Sequence, residues 1–131
     1  MRLILFISVL LFAFSFVLIP QSKKTDEQRT VKPKITFIEL GSVNCIPCKK
    51  MQPVMKAIEQ KYGDVVKVIF YDVWTPEQKP FARQYGVRLI PTQVFLDENG
   101  KEFFRHEGFF PEEEIHTLFK KRGVTPAQIG G

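Results

Sequence analysis

Apolar residues crowd the first nineteen positions of the chain and then fall into short, regularly spaced runs. Leu3 to Ile19 carries no charge over seventeen residues, with Arg2 before it and Pro20-Gln21-Ser22-Lys23-Lys24 after it. As a helix this run reaches roughly 25 Å, the lower edge of what spans a bilayer. A basic start before an apolar centre also fits a secretory signal. Small residues at cleavage spacing occur only at Ala13-Phe14-Ser15, inside the run. Residues 1–19 are therefore expected to be an uncleaved signal anchor, with a cleaved signal peptide as the alternative. A buried core helix would carry a polar face, and this segment has none.

Residues 20–33 are polar and proline-bounded, and read as a tether. From Lys34 the periodicity changes. Lys34–Leu40 is β-branched and aromatic, hence a strand. After a turn at Gly41–Asn44, a helix over Pro47–Tyr62 places Met51, Val54, Met55, Ile58 and Tyr62 on one stripe and closes at Gly63. Val65–Tyr71 predicts a second strand, apolar enough to be buried on both faces. A shorter helix is expected over Pro76–Tyr85. Thr92–Leu96 and Lys101–Glu107 form a hairpin around Asp97-Glu98-Asn99-Gly100, since Asn-Gly suits positive φ. Pro111 opens a last helix, Glu112–Lys121, with acids in its first turn and bases at its end, as the helix dipole favours. The order strand–helix–strand–helix–hairpin–helix predicts an α/β domain over 34–122, its central sheet flanked by helices, with a tail at 123–131.

Composition changes this picture little. The chain of 131 residues has room for one domain, and 44% hydrophobic with 25% charged residues is ordinary for a globular protein. Thirteen Phe supply core area. The net charge of +5 is spread along the chain, with no basic cluster interleaved with aromatics, so no nucleic-acid partner is expected. Charge around the N-terminal segment bears on orientation. Lys23, Lys24, Arg29, Lys32 and Lys34 follow it, which counted alone would keep the domain in the cytoplasm. Short basic starts nonetheless drive export in signals of this shape. Export is the expectation, with the domain on the outer face of the membrane.

The candidate chemistry lies at Cys45 and Cys48. A Cys-x-x-Cys loop closes too few residues to be an effective staple. Structural zinc normally needs four ligands, and the other candidates, His106 and His116, fall on different predicted elements. Redox exchange is the preferred reading. A Cu(I)-carrying dithiol and a bare structural bridge stay open, as does a non-catalytic interaction module. Cys45 falls at the strand-to-helix turn, where free N–H groups and the dipole's positive end favour the thiolate. Its pKa is expected within the lowered range of such sites, roughly 3.5–7.5. Cys48, one turn into the helix, is expected to be the more buried thiol. Trp74 reads first as a packing residue, with a place beside the site as the alternative.

Gly41-Ser-Val-Asn-Cys45-Ile-Pro-Cys48-Lys-Lys-Met-Gln-Pro53, followed by Val87-Arg-Leu-Ile90-Pro91-Thr92, resembles the thioredoxin family. The likeness covers roughly residues 34–122, and includes Pro47 before the second cysteine, Pro53 in the following helix, the Asp-x-Asn-Gly turn and Gly108. It implies a thioredoxin-like three-layer sandwich and a thiol–disulfide oxidoreductase without a cofactor. By the same resemblance Pro91 is the cis-proline facing the cysteines, and the residue 90 backbone pairs with an extended substrate. Asn44 and Ile46, where the family has Trp and Gly, belong to the contact surface. Gly41 stands where the family carries another aromatic. Glu39 takes the place of an aspartate that shuttles a proton for the second cysteine. Buried without a cation, its carboxyl is expected to have a raised pKa. Val68 lies near where the family often has a lysine. Implied partners are protein disulfides or thiols and an integral-membrane electron donor, with the domain acting as a monomer.

Overall fold

The computed structural model describes residues 31–127. The expected anchor (1–19) and most of the expected tether lie outside them. Among the described residues no helix is long and apolar enough to cross a membrane.

The chain runs β1 (Ile35–Gly41), α1 (Ile46–Tyr62), a short 3-10 turn at Gly63–Val65, β2 (Val66–Asp72), α2 (Lys79–Gln84), β3 (Thr92–Asp97), β4 (Glu102–Glu107) and α3 (Glu112–Lys121). The four strands form one mixed sheet in the order β2-β1-β3-β4. β1 and β2 are parallel, joined through α1, while β3 runs antiparallel to both β1 and β4. The C-terminal ends of β1 and β2 and the start of β3 thus meet at one end of the sheet.

Alternation along β1 divides the core. Ile35 and Phe37 join α1 and α3 through Met51, Met55, Ile58, Tyr62, Phe95 and Phe119. Ile38 and Leu40 face the opposite layer, with Val73, Val94 and partly buried Phe81 and Tyr85. Phe37 lies directly across from Phe95, their rings stacked at 4.8 Å. Each such buried Phe contributes about 1.5–3 kcal/mol, whereas exposed pairs such as Lys61–Glu112 contribute less than about 1 kcal/mol. Packing on the central strands holds this fold. After α3 the chain stays on the domain, with Val124 buried and Ala127 N donating to Lys61 O at 2.9 Å.

Two expectations change. β2 is not buried on both faces: it is an edge strand, with Lys67 exposed and Val68 to Tyr71 half-buried. Its apolar run reflects packing on two partly covered faces. The second helix begins at Lys79 instead of Pro76, because Thr75 and Gln78 are taken up in a turn. Thr75 N donates to Asp72 O, and Gln78 N to Thr75 Oγ1.

Candidate active site

The turn from β1 to α1 is built on Ser42. Its carbonyl accepts from Cys45 N at 3.2 Å, and its hydroxyl from Asn44 N at 3.2 Å. Cys45 then caps α1 in an extended conformation, its Sγ accepting from Cys48 N at 3.3 Å. A sulfur thus fills the role that a serine or aspartate oxygen usually plays at a helix start. Pro47 sits in the first turn, where a missing N–H costs nothing. Cys45 and Cys48 are joined as a disulfide with Cα atoms 5.2 Å apart. Cys48 is fully buried, while Cys45 keeps 6% of its surface at the rim. Ile46, between them, is 74% exposed.

Beneath the pair lies Glu39. It continues the β1 row of Ile35 and Phe37, so period two points it toward α1. It is wholly buried, and neither carboxyl oxygen has a hydrogen-bond partner. Burial pushes its pKa from 4.5 up to about 8, and the nearby Gln93 amide offsets only part of that rise. Val68 packs against the α1-side core, and no cation contributes. Gly41 brings the carboxyl and the dithiol together. A Cβ there would lie 3.2 Å from Cys48 Sγ and 3.5 Å from Glu39 Oε1, so the two groups flank one bare Cα.

Gln93 lies directly across from Glu39 in the β1–β3 register and is equally buried. Its Nε2 donates to Gly108 O at 3.0 Å, leaving Oε1 unpartnered. Gly108 N in turn donates to Pro91 O at 2.8 Å. The Ile90–Pro91 peptide is cis. Leu40 pairs with Thr92, so Pro91 enters β3 at the sheet end from which β1 leads to Cys45.

A second carboxylate, Asp72, ties the outer loops together. Its Oδ2 accepts from Val43 N at 3.2 Å and its Oδ1 from Trp74 N at 3.1 Å. Burial acts to raise its pKa, but the bonds from Val43, Trp74 and Ser42 outweigh it and hold the group below the usual carboxylate range.

Comparison with known proteins accords with this geometry. Residues 21–123 match a family model described as a thioredoxin-like domain. The chain belongs to the thioredoxin family. It is 36% identical over 101 residues to a thioredoxin of Bacillus subtilis, covering 76% of this chain and 94% of that one. A thioredoxin 1 of Synechococcus elongatus is 46% identical over 98 residues, covering 74% and 89%. The crystal structure of a thioredoxin from Nicotiana alata superposes with a TM-score of 0.57 at 34% identity, over 67% of this chain and 72% of that one.

With a thioredoxin fold and a paired Cys45-x-x-Cys48, the protein is a thiol–disulfide oxidoreductase acting on protein thiols or disulfides. Several residues around the pair were not singled out by sequence reasoning. Gln93 shows in the sequence only as one polar residue inside an apolar strand, and Asp72 only as the acid ending β2. Neither signal is specific, because both roles depend on contacts between strands. His106 and His116 are engaged elsewhere, with Phe109 O and with Tyr62 Oη and Glu112.

Proposed function

We propose that the protein reduces disulfides of exported proteins, with Cys45 as nucleophile and Cys48 as resolving thiol. In the reduced state the Cys45 thiolate attacks one sulfur of the substrate disulfide. A bond forms between Cys45 and the substrate, and the first substrate thiolate leaves and takes a proton. Glu39, as carboxylate, accepts the Cys48 proton. The Cys48 thiolate then attacks Cys45 Sγ, releasing the second substrate thiolate and regenerating the Cys45–Cys48 disulfide. Two electrons pass to the substrate, and a donor dithiol must return them. The supporting observation is the Cys45–Cys48 disulfide at the start of α1 with an unpartnered, buried carboxyl beside Cys48. A group titrating near 8 can both take and return a proton close to neutrality.

The substrate chain lies along Ile90 and Pro91, adding to the start of β3 by backbone pairing, with Asn44 and Ile46 in contact. The apolar N-terminal run of the sequence supports a domain on the outer face of the membrane, as an anchored monomer or a secreted one after cleavage. Electrons there come from an integral-membrane donor, and the clients are exported thiol proteins, apocytochrome c among them.

Reduction of insulin disulfides with dithiothreitol tests the assignment. Cys45→Ser should lose turnover altogether, and Cys48→Ser should accumulate mixed disulfides whose partners name the clients. Unchanged turnover in Cys45→Ser would overturn the reading.

A further inference from the structure

We propose that Trp74 forms one wall of the substrate-docking surface and selects protein disulfides flanked by apolar side chains. This inference rests on the oxidoreductase reading of Cys45. Trp74 is the chain's single tryptophan, and 59% of its surface is exposed. A ring of this size is ordinarily among the most buried groups of a domain.

Its exposure is built, not frayed. Asp72 holds Trp74 N with one carboxylate oxygen and Val43 N with the other. Val73 N donates to Gly41 O at 2.9 Å. Thr75 Oγ1 donates to Asp72 O at 2.8 Å, and Gln78 Oε1 accepts from Asp72 N at 2.7 Å. The Trp74 loop is therefore stapled at two points to the segment that leads into Cys45. A rigid apolar surface loses little conformational entropy on binding.

Topology gathers the other apolar residues at the same end. β1 and β2 are parallel and finish at Gly41 and Asp72, while β3 starts at Thr92 opposite Leu40 and pairs there with Glu107 of β4. The described residues include six large exposed hydrophobics: Val31, Val43, Ile46, Trp74, Leu89 and Phe109. Of these, Val43, Trp74, Leu89 and Phe109 lie in the four loops at that end, and Ile46 is the first residue of α1 there. Cys45, with part of its surface open, leads into α1 from the same end of the sheet, so a chain that reaches its sulfur has these side chains within its path. Its occupant is the extended, apolar-flanked cysteine segment of a protein disulfide.

Trp74→Ala and Trp74→Phe in the full-length protein test this against two substrates, insulin and 2-hydroxyethyl disulfide. The second is too small and polar to reach a wall. Trp74→Ala should lower kcat/KM for insulin about tenfold, carried mainly by KM, as loss of an aromatic anchor does. Its rate with 2-hydroxyethyl disulfide should stay unchanged, and Trp74→Phe should recover most of the loss with insulin. Equal slowing with both substrates would make Trp74 structural, and no change with either would remove it from the docking surface. If the unaltered protein turns over neither disulfide, the oxidoreductase reading fails, and this one with it.

Discussion

Two buried carboxyls flank the segment that joins β1 to the cysteine pair, and their surroundings drive them in opposite directions. Glu39, on the inner row of β1, receives no backbone hydrogen bond and is pushed up to about 8. Asp72, at the end of the neighbouring strand, accepts from Val43 N and Trp74 N and is held below the usual range. Burial acts on both. What separates them is whether backbone N–H groups reach the charge. β1 spends its N–H groups on two neighbouring strands, leaving none for Glu39. The loop after β2 has free N–H groups to give. A carboxyl left without donors is suited to moving a proton, and one with donors to fixing a loop.

The largest expected effect comes from Glu39→Gln. Between pH 4.5 and about 8 the unfolded chain has lost this proton while the native chain keeps it, so native stability falls as pH rises through that window. Replacing the acid with a neutral amide removes the penalty. The variant should gain on the order of 4–5 kcal/mol above pH 8, and nothing below about pH 4.5, in denaturant melts across pH. An equal advantage at every pH would mean that the carboxyl does not titrate as its burial dictates.

Asp72→Asn should act with the opposite sign. The native pKa is lowered, so this group's contribution is present above the unfolded value of 3.8 and is lost as pH falls through the folded one. At neutral pH the variant should lose about 1–3 kcal/mol, because two backbone donors lose a charged acceptor. The loss should vanish in strong acid, in the same melts.

Gln93→Leu carries the smallest effect and sharpens the contrast most finely. The amide is the one polar side chain facing Glu39 across the strand pair, and it favours the ionised form. Without it the Glu39 transition should move upward by about one pH unit or less, read as a fall in stability that still begins near the unfolded pKa but continues to higher pH. A downward move would mean that the amide oxygen instead accepts a hydrogen bond from the protonated carboxyl.

Much of this site was legible in the sequence, for local reasons. The Cys45–Cys48 spacing, Pro47 and the start of α1 lie within a few residues of one another. Burial of Glu39 follows from its even spacing with Ile35 and Phe37. The last helix and the hairpin announced themselves through charge order and Asn-Gly. What escaped depends on contacts across the fold. Gln93 meets Glu39 only through the β1–β3 register, and Asp72 meets Val43 only after β2 has docked against β1. The edge position of β2 is a property of strand order, which its own residues do not encode. Gly41 read in sequence as a lost aromatic. In the fold it is the bare Cα between Cys48 and Glu39.

The proton step at Cys48 is tested most directly by the pH dependence of insulin-disulfide reduction, measured from pH 6 to 9 for the unaltered protein and for Glu39→Gln. If Glu39 carries that proton, the unaltered protein shows an ionisation near pH 8 and the variant lacks it, with a slower resolving step and longer-lived mixed disulfide. Superimposable profiles would contradict that role and leave Glu39 a buried acid with no part in the exchange.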